Sequence, residues 1–320
     1  MNKEKFKKSA KITIDLQILA LKKLKRSIGN SFFSAVKAIG DCQSKCILVG
    51  VGKSGHLASL ISSSLSSIGA SSFALKSAAD AAHGDLGCIS RKDVLVLISN
   101  SGNSSELKPI ISYSKKQNIT LIGITSKKKS ILYKASNIKI LIPEVKEAGE
   151  GNIVPSSSLI TQTSIGNSLV IAVMKYKKHG IKMFRKLHPG GVLSKKLLTV
   201  EDLMVATPFV SENSIMKKAL KILSEKKLGL LVARNKKGMT GIIVDGDLKR
   251  ASNKHKNIHD LQVKDIMTKN PLSVDKDLLI AQALTLMNKN RITSLLVHKN
   301  NNKNKTIGVL HIHKVLENIQ

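Results

Sequence analysis

Two hydrophobic strands of this chain break directly into glycine- and serine-rich turns that open helices, and this pairing restricts the fold more than any other feature. Ile47-Leu48-Val49 runs into Gly50-Val51-Gly52-Lys53-Ser54-Gly55-His56, and Val94-Leu95-Val96-Leu97-Ile98 runs into Ser99-Asn100-Ser101-Gly102-Asn103-Ser104-Ser105-Glu106. Two such turns at the carboxyl ends of neighbouring parallel strands gather backbone N–H groups, hydroxyls and a lysine around one crevice. That arrangement holds a phosphate monoester. Neither common nucleotide loop fits. The first turn lacks the four-residue spacer of a Walker loop, and its third glycine has the wrong offset for a dinucleotide fingerprint.

Strand-like and helix-like segments alternate from residue 45 to 180. Ile47–Gly50, Ser71–Leu75, Val94–Ile98, Thr120–Thr125 and Ile138–Ile142 read as buried strands; Leu57–Ser67, Ser104–Lys116, Ser130–Ala135 and Leu159–Lys175 read as helices. Short apolar strands separated by helices predict an α/β fold, a five-stranded doubly wound parallel sheet covered on both faces. The chain changes character near Val200 and repeats itself. Asp202-Leu203-Met204 recurs 63 residues later as Asp265-Ile266-Met267, Gly229–Val232 is echoed by Thr293–Val297, and Gly241–Val244 by Gly308–Leu310. Each copy predicts a lead segment, a helix (Ile215–Glu225; Leu278–Asn288), two strands and a closing helix. Two copies packed on each other make one smaller α+β module. The expected organisation is therefore N-terminal helices at 1–44 packing on a domain at 45–198, then a repeat pair at 199–320 with copies at about 202–255 and 265–320.

Length alone, 320 residues, points to two or three domains. The 53 basic residues against 21 acidic ones give a net charge of +32 and raise the question of an anionic partner. The lysines are dispersed along every predicted element rather than forming one stripe, and aromatics at 3% supply no base-stacking platform. Neither nucleic acid nor a membrane is the expected partner. Met1–Lys25 lacks the apolar core of a signal peptide and reads as an amphipathic helix with Ile12, Leu16, Leu19 and Leu24 roughly on one side. The uncharged stretches Ser54–Leu75 and Ile153–Met174 carry Ser, Gly, Thr or Gln throughout and read as core segments, not bilayer spans. Cys42, Cys46 and Cys88 make neither a disulfide framework nor a zinc set, which suits reduced thiols and a cytoplasmic location.

The first unit resembles a sugar isomerase (SIS) domain, flavodoxin-like in topology, and the repeats resemble a pair of cystathionine-β-synthase (CBS) motifs. In this order the combination resembles the bacterial arabinose-5-phosphate isomerases. The matching stretches are GVGKSGH at Gly50–His56, AAHGDLG at Ala81–Gly87, SNSGNSSE at Ser99–Glu106, KEA at Lys146–Ala148 and LHPGGVLSKKLL at Leu187–Leu198. They reach over nearly the whole chain from about residue 10. The resemblance implies interconversion of ribulose 5-phosphate and arabinose 5-phosphate, a product that feeds synthesis of the lipopolysaccharide sugar Kdo, and a homotetramer with active sites at subunit contacts. It also implies a regulatory adenosine- or nucleotide-type site in the repeat module near Asp245, Asp247 and Thr293. A dimerisation module without ligand is the alternative for that pair. Asn103 departs from the family, standing where related enzymes often carry glutamate.

An aldose–ketose isomerisation moves a proton between C1 and C2 through a cis-enediol, and needs a base, a group handling the oxygen proton, and a phosphate clamp. Glu147, just after the fifth predicted strand, is the first candidate for the base, and Glu106, opening the helix after the serine turn, is the second; a helix-start carboxylate is the other reading of Glu106. His188, ahead of Pro189-Gly190-Gly191, resembles the family histidine needed for activity and is assigned ring opening or proton shuttling. Lys53 neutralises phosphate or polarises a substrate oxygen. Gly52, Ser54, Ser99, Ser101 and Ser104 are the candidate phosphate donors, with Ser157 of the Ser156–Ser158 run either a further donor or a helix cap. His56 supports its loop. His83 touches substrate or holds an adventitious divalent metal such as zinc, and no cofactor is required. The competing readings are a non-catalytic sugar-phosphate sensor and an isomerase for another sugar phosphate.

Overall fold

β1 (Cys46–Gly50) and β3 (Val94–Ile98) are buried along all five residues, the mark of strands covered on both faces. The computed structural model describes residues 3–75, 78–190, 195–226, 229–236, 238–300, 302 and 305–319. The chain divides into two units, Met1–His188 and Pro189–Gln320.

The amino-terminal unit runs α1 (Lys3–Ser27), α2 (Asn30–Gly40), β1, α3 (Lys53–Ser67), β2 (Ser72–Ala74), β3, α4 (Lys108–Lys116), β4 (Thr120–Thr125), α5 (Ile131–Ala135), β5 (Ile138–Leu141), α6 (Ser157–Tyr176) and α7 (Ile181–Leu187). Its strands form one all-parallel sheet in the order β2-β1-β3-β4-β5. Alternate residues feed two cores. Leu48, Val96, Ile122 and Ile124 pack with Ala35, Ile39, Ile61 and Leu169 on one face, while Ile47, Val49, Leu95 and Leu97 pack with Leu107, Ile110 and Leu132 on the other. The strand order reverses between β1 and β3, where Gly50 pairs with Ile98, so the crevice beyond those two strand ends is the binding position of such a sheet.

Two local expectations change. The helix expected from Ser104 begins as a 3₁₀ turn at Ser105–Leu107, and the α-helix starts at Lys108. Pro109 sits in the first turn of α4, where its missing N–H costs nothing. In α1, which packs on α6, Ala20 and Leu24 are buried, but Ile12 and Leu19 are 50% and 52% exposed. The stripe facing α6 passes through Thr13, Leu16, Ala20 and Leu24, so Ile12 and Leu19 point away from it. Among the described residues no helix is long and apolar enough to cross a membrane.

The carboxyl-terminal unit is built twice over. The first copy runs α8 (Val200–Leu203), β6 (Phe209–Ser211), α9 (Met216–Lys226), β7 (Leu230–Asn235), β8 (Gly238–Val244) and α10 (Asp245–Lys254); the second runs α11 (Val263–Ile266), β9 (Thr268–Lys269), β10 (Ser273–Asp275), α12 (Ile280–Asn290), β11 (Ser294–His298), β12 (Thr306–His311) and α13 (Ile312–Ile319). The recurring Asp of Asp-Leu-Met and Asp-Ile-Met is a helix cap. Asp202 Oδ2 accepts from Thr199 N at 2.7 Å, and Asp265 Oδ2 from Gln262 N at 3.1 Å. The repeat extends to an identical register shift, between Ala233 and Arg234 in one copy and Val297 and His298 in the other. Beyond the two strands expected per copy, the lead segments exchange. Thr268-Lys269 pairs with Ile242 and Gly241 of the first copy, and Val205 bridges to Val309 of the second. Each copy thereby covers an edge of the other, and Leu230, Val232, Leu296 and Val309 fill the seam.

Candidate functional site

Gly50 must be glycine for the crevice to form. A Cβ there would lie 2.4 Å from the Ser54 carbonyl carbon and 2.7 Å from Gly55 N, so only a bare α-carbon lets α3 start so close to the end of β1. The turn that results sets Lys53 and Ser54 on the rim of a cavity of about 760 Å³. Asn100 enters it from the end of β3, Lys146 and Glu147 from the segment after β5, and Ser158, Leu159 and Gln162 from α6. Four segments thus converge beyond the carboxyl ends of β1, β3 and β5. The wall holds two ammonium groups, Lys53 and Lys146, and the single carboxylate of Glu147.

That carboxylate is already engaged. Glu147 Oε2 accepts backbone N–H bonds from Ser156 at 2.8 Å, Ser157 at 2.8 Å and Ser158 at 3.1 Å, plus the Ser156 hydroxyl at 3.2 Å. It closes the open amino end of a 20-residue helix, where an anion is favoured. Partial burial pushes the Glu147 carboxyl up, but the hydrogen bonds from Ser158 and Ser156 together outweigh it and hold the group below the ordinary glutamate range. Glu147 is therefore ionised at neutral pH, and its Oε1 is not used by these four bonds. The α6 terminus is filled by the protein's own carboxylate, so Ser157 N is spent on Glu147, and the Ser157 hydroxyl is buried without a partner among the described residues.

The second turn is braced internally. Ser99 is buried, and its hydroxyl accepts from Gly102 N at 3.0 Å and lies 3.3 Å from Ser104 Oγ. Ser101 is exposed and accepts from Asn103 N at 3.3 Å. Asn103 accepts at its side-chain Oδ1 from Ile131 N at 2.9 Å, tying the turn to α5. Gly52, ahead of α3, is exposed at the mouth of the first turn. Ser54 Oγ donates to Gln162 Oε1 at 2.9 Å, so its proton is committed to the protein.

Lys53, Ser54 and Glu147 are brought to one cavity; Glu106, His83 and His188 are not on its wall. Glu106 is exposed on the 3₁₀ turn and accepts from Ser105 Oγ at 3.1 Å. His83 is exposed at the end of the short turn Asp80–His83, and His56 is exposed in the first turn of α3. Among the described residues no three His, Cys, Asp or Glu side chains converge where a metal could sit. His188 closes α7 with its ring stacked on Phe184, centroids 3.9 Å apart, and its Nδ1 is 2.7 Å from the Phe184 carbonyl oxygen. A carbonyl only accepts, so Nδ1 carries the proton, and Nε2 is the basic nitrogen left to a substrate. Gly191 of the turn expected to follow His188 lies outside the described residues.

Lys146, Asn100 and Gln162 are wall residues that sequence reasoning missed as site members. Gln162 left one signal: Ser158, Gln162 and Gly166 recur every four residues in an uncharged helix, which places a bulky amide on the face of two small residues.

In the repeat unit, Asp247 is buried and fully used. Its Oδ2 accepts from Val244 N at 2.9 Å, and its Oδ1 takes the Thr268 hydroxyl at 2.7 Å and the Arg250 guanidinium. Asp245 and Thr293 are exposed. The position matching Asp247 in the second copy is Lys314, paired with Glu317 at 2.9 Å, so the two copies are not chemically equivalent here.

Comparison with known proteins divides the chain in the same way. The SIS domain family model matches residues 41–172, and the CBS domain model matches 200–254 and 263–320. Arabinose 5-phosphate isomerase KdsD of Francisella tularensis is 35% identical over 312 residues, 95% of this chain and 94% of that protein. KdsD of Salmonella typhimurium is 32% identical over 316 residues, 97% of this chain and 95% of its own. The solved structure of an Escherichia coli CFT073 protein in complex with arabinose 5-phosphate is 30% identical with a TM-score of 0.56, over 59% of this chain and all of that one.

Proposed function

The chain belongs to the arabinose 5-phosphate isomerase family, and from that premise we infer that it interconverts D-ribulose 5-phosphate and D-arabinose 5-phosphate through a cis-enediol. The observation that carries this reading is the cavity beyond β1, β3 and β5. It offers two ammonium groups for a phosphate and a carboxylate, held ionised, for the proton at C1 or C2. Lys53 compensates phosphate charge or polarises the carbonyl oxygen. Glu147 takes the carbon-bound proton through Oε1 while Oε2 stays on α6, and Glu106 is the second candidate for that step. His188 Nε2 moves the proton between the substrate oxygens or opens the ring.

His188 is not on the wall of its own chain's cavity, which fits its supply by another subunit, and a homotetramer is the proposed assembly. The product is proposed to supply Kdo for lipopolysaccharide, in the cytoplasm. No cofactor enters the chemistry, and a divalent ion such as zinc at His83 is proposed to inhibit. The repeat pair is proposed to take an adenosine- or nucleotide-type effector near Asp245 and Thr293; to use Asp247, that ligand must displace Arg250 or Thr268. Conversion of ribulose 5-phosphate to arabinose 5-phosphate by chelator-treated protein tests the main reading. Binding without conversion leaves a sugar-phosphate sensor.

A further inference from the structure

We propose that Gln162 is a specificity residue of the cavity, its amide N–H₂ donating to a hydroxyl oxygen of the open-chain sugar, with Ser54 as the positioning residue that aims it. Gln162 is only 3% exposed, yet it lines the cavity. Its carbonyl is taken by Ser54 Oγ at 2.9 Å, while its amide nitrogen has no hydrogen-bond partner among the described residues. That nitrogen is not sealed from solvent, and since Gln162 lines the cavity it opens there rather than into the core. An amide pinned at one end with its donor end aimed into a cavity is a hydrogen-bond reader, because a ligand lacking a matching oxygen leaves the donor unpaired.

The backbone around it is fixed closely. Four residues along α6, a Cβ on Gly166 would lie 2.2 Å from Ile61 Cδ1, so α3 and α6 are in direct contact just below the Ser54–Gln162 bond. The amide cannot drift along the helix, and Ser54 fixes which end faces inward. Phosphate binding is left to Lys53 and Lys146; Gln162 sorts sugar phosphates by the placement of a hydroxyl. The inference rests on the isomerase reading, which wild-type turnover of ribulose 5-phosphate decides by itself.

The test compares wild type, Gln162→Met, Ser54→Ala and the double variant with ribulose 5-phosphate and with its C3 epimer, xylulose 5-phosphate, added as a competitor. Methionine keeps the shape of the side chain and removes the donor. Gln162→Met is expected to raise KM for ribulose 5-phosphate about tenfold with kcat changed far less, and to narrow the gap between KM and the epimer's inhibition constant. Ser54→Ala is expected to shift KM in the same direction, and the double variant to be no worse than Gln162→Met, because both changes break one device. Unchanged KM and discrimination in Gln162→Met would overturn the proposal. So would additive losses, or a loss of kcat that follows a fall in melting temperature, either of which makes the pair a helix–helix fastening only.

Discussion

The Glu147 carboxylate lies 2.8 Å from the backbone nitrogen of Ser157, at the mouth of a helix whose amino end would otherwise attract the substrate's phosphate. One side chain therefore does two things. It neutralises the amino end of α6, and it presents an ionised oxygen to the cavity.

Separating those roles is the first prediction. Glu147→Gln retains an acceptor for the α6 N–H groups but loses the charge, and is expected to cost about 0.5–2 kcal/mol of stability. As the base it is expected to lower kcat about 10²–10⁴-fold, with the change in kcat far exceeding the change in KM. Glu106→Gln, at a residue that is not on the cavity wall, is expected to leave kcat within about tenfold of wild type; steady-state kinetics of both variants beside thermal melts distinguish the two carboxylates.

The depressed Glu147 carboxyl also has a consequence for pH. A carboxyl whose folded value lies below its unfolded one contributes stability that is fully present above the unfolded value and is lost as pH falls through the folded one. Acid titration of the melting temperature is expected to lose this contribution only below pH 4.5, and Glu147→Gln is expected to flatten that fall. The acid limb of kcat/KM is expected in the same low range.

Gly166→Ala brings a Cβ to 2.2 Å from Ile61 Cδ1 and 2.6 Å from Ile61 Cγ1, and Ile61 is itself 2% exposed. The buried side chain has little room to yield, so the variant is expected to lose about 1–3 kcal/mol. Because the clash lies on the seam below Ser54 and Gln162, KM for ribulose 5-phosphate is expected to rise as well. Denaturant melts and initial rates check the two effects.

Asp247→Ala removes the acceptor of Val244 N and of the Thr268 hydroxyl within a buried setting. The expected cost is about 1–3 kcal/mol in the repeat unit, read as an earlier unfolding step of the full chain by calorimetry. Isomerase activity below that step is expected to be unchanged.

The sheet was legible because its strands are apolar on both faces, as at Val94–Ile98, and because alternation with helices admits few topologies. The repeat was legible because the capping Asp of each copy recurs with its Leu-Met or Ile-Met. The exchanged lead segments were not, since a two-residue strand such as Thr268-Lys269 owes its conformation to its partner rather than its own sequence. At the site, residue type indicated Lys53 and Glu147, whose chemistry does not depend on direction. Ser54 was read as a phosphate donor because serine donates, and only the structure shows Gln162 Oε1 taking that proton. Ile12 and Leu19 show the same limit in packing: an apolar helix residue is assigned to the core by pattern, but which stripe faces α6 is decided in three dimensions.

The most direct measurement is proton NMR of chelator-treated protein with ribulose 5-phosphate in D₂O, run beside His188→Ala. The expected result is arabinose 5-phosphate with deuterium at C2 from the wild type, as the enediol exchanges its proton with solvent, and none from the variant. Binding of the sugar phosphate without turnover, seen as line broadening alone in the wild type, would contradict it.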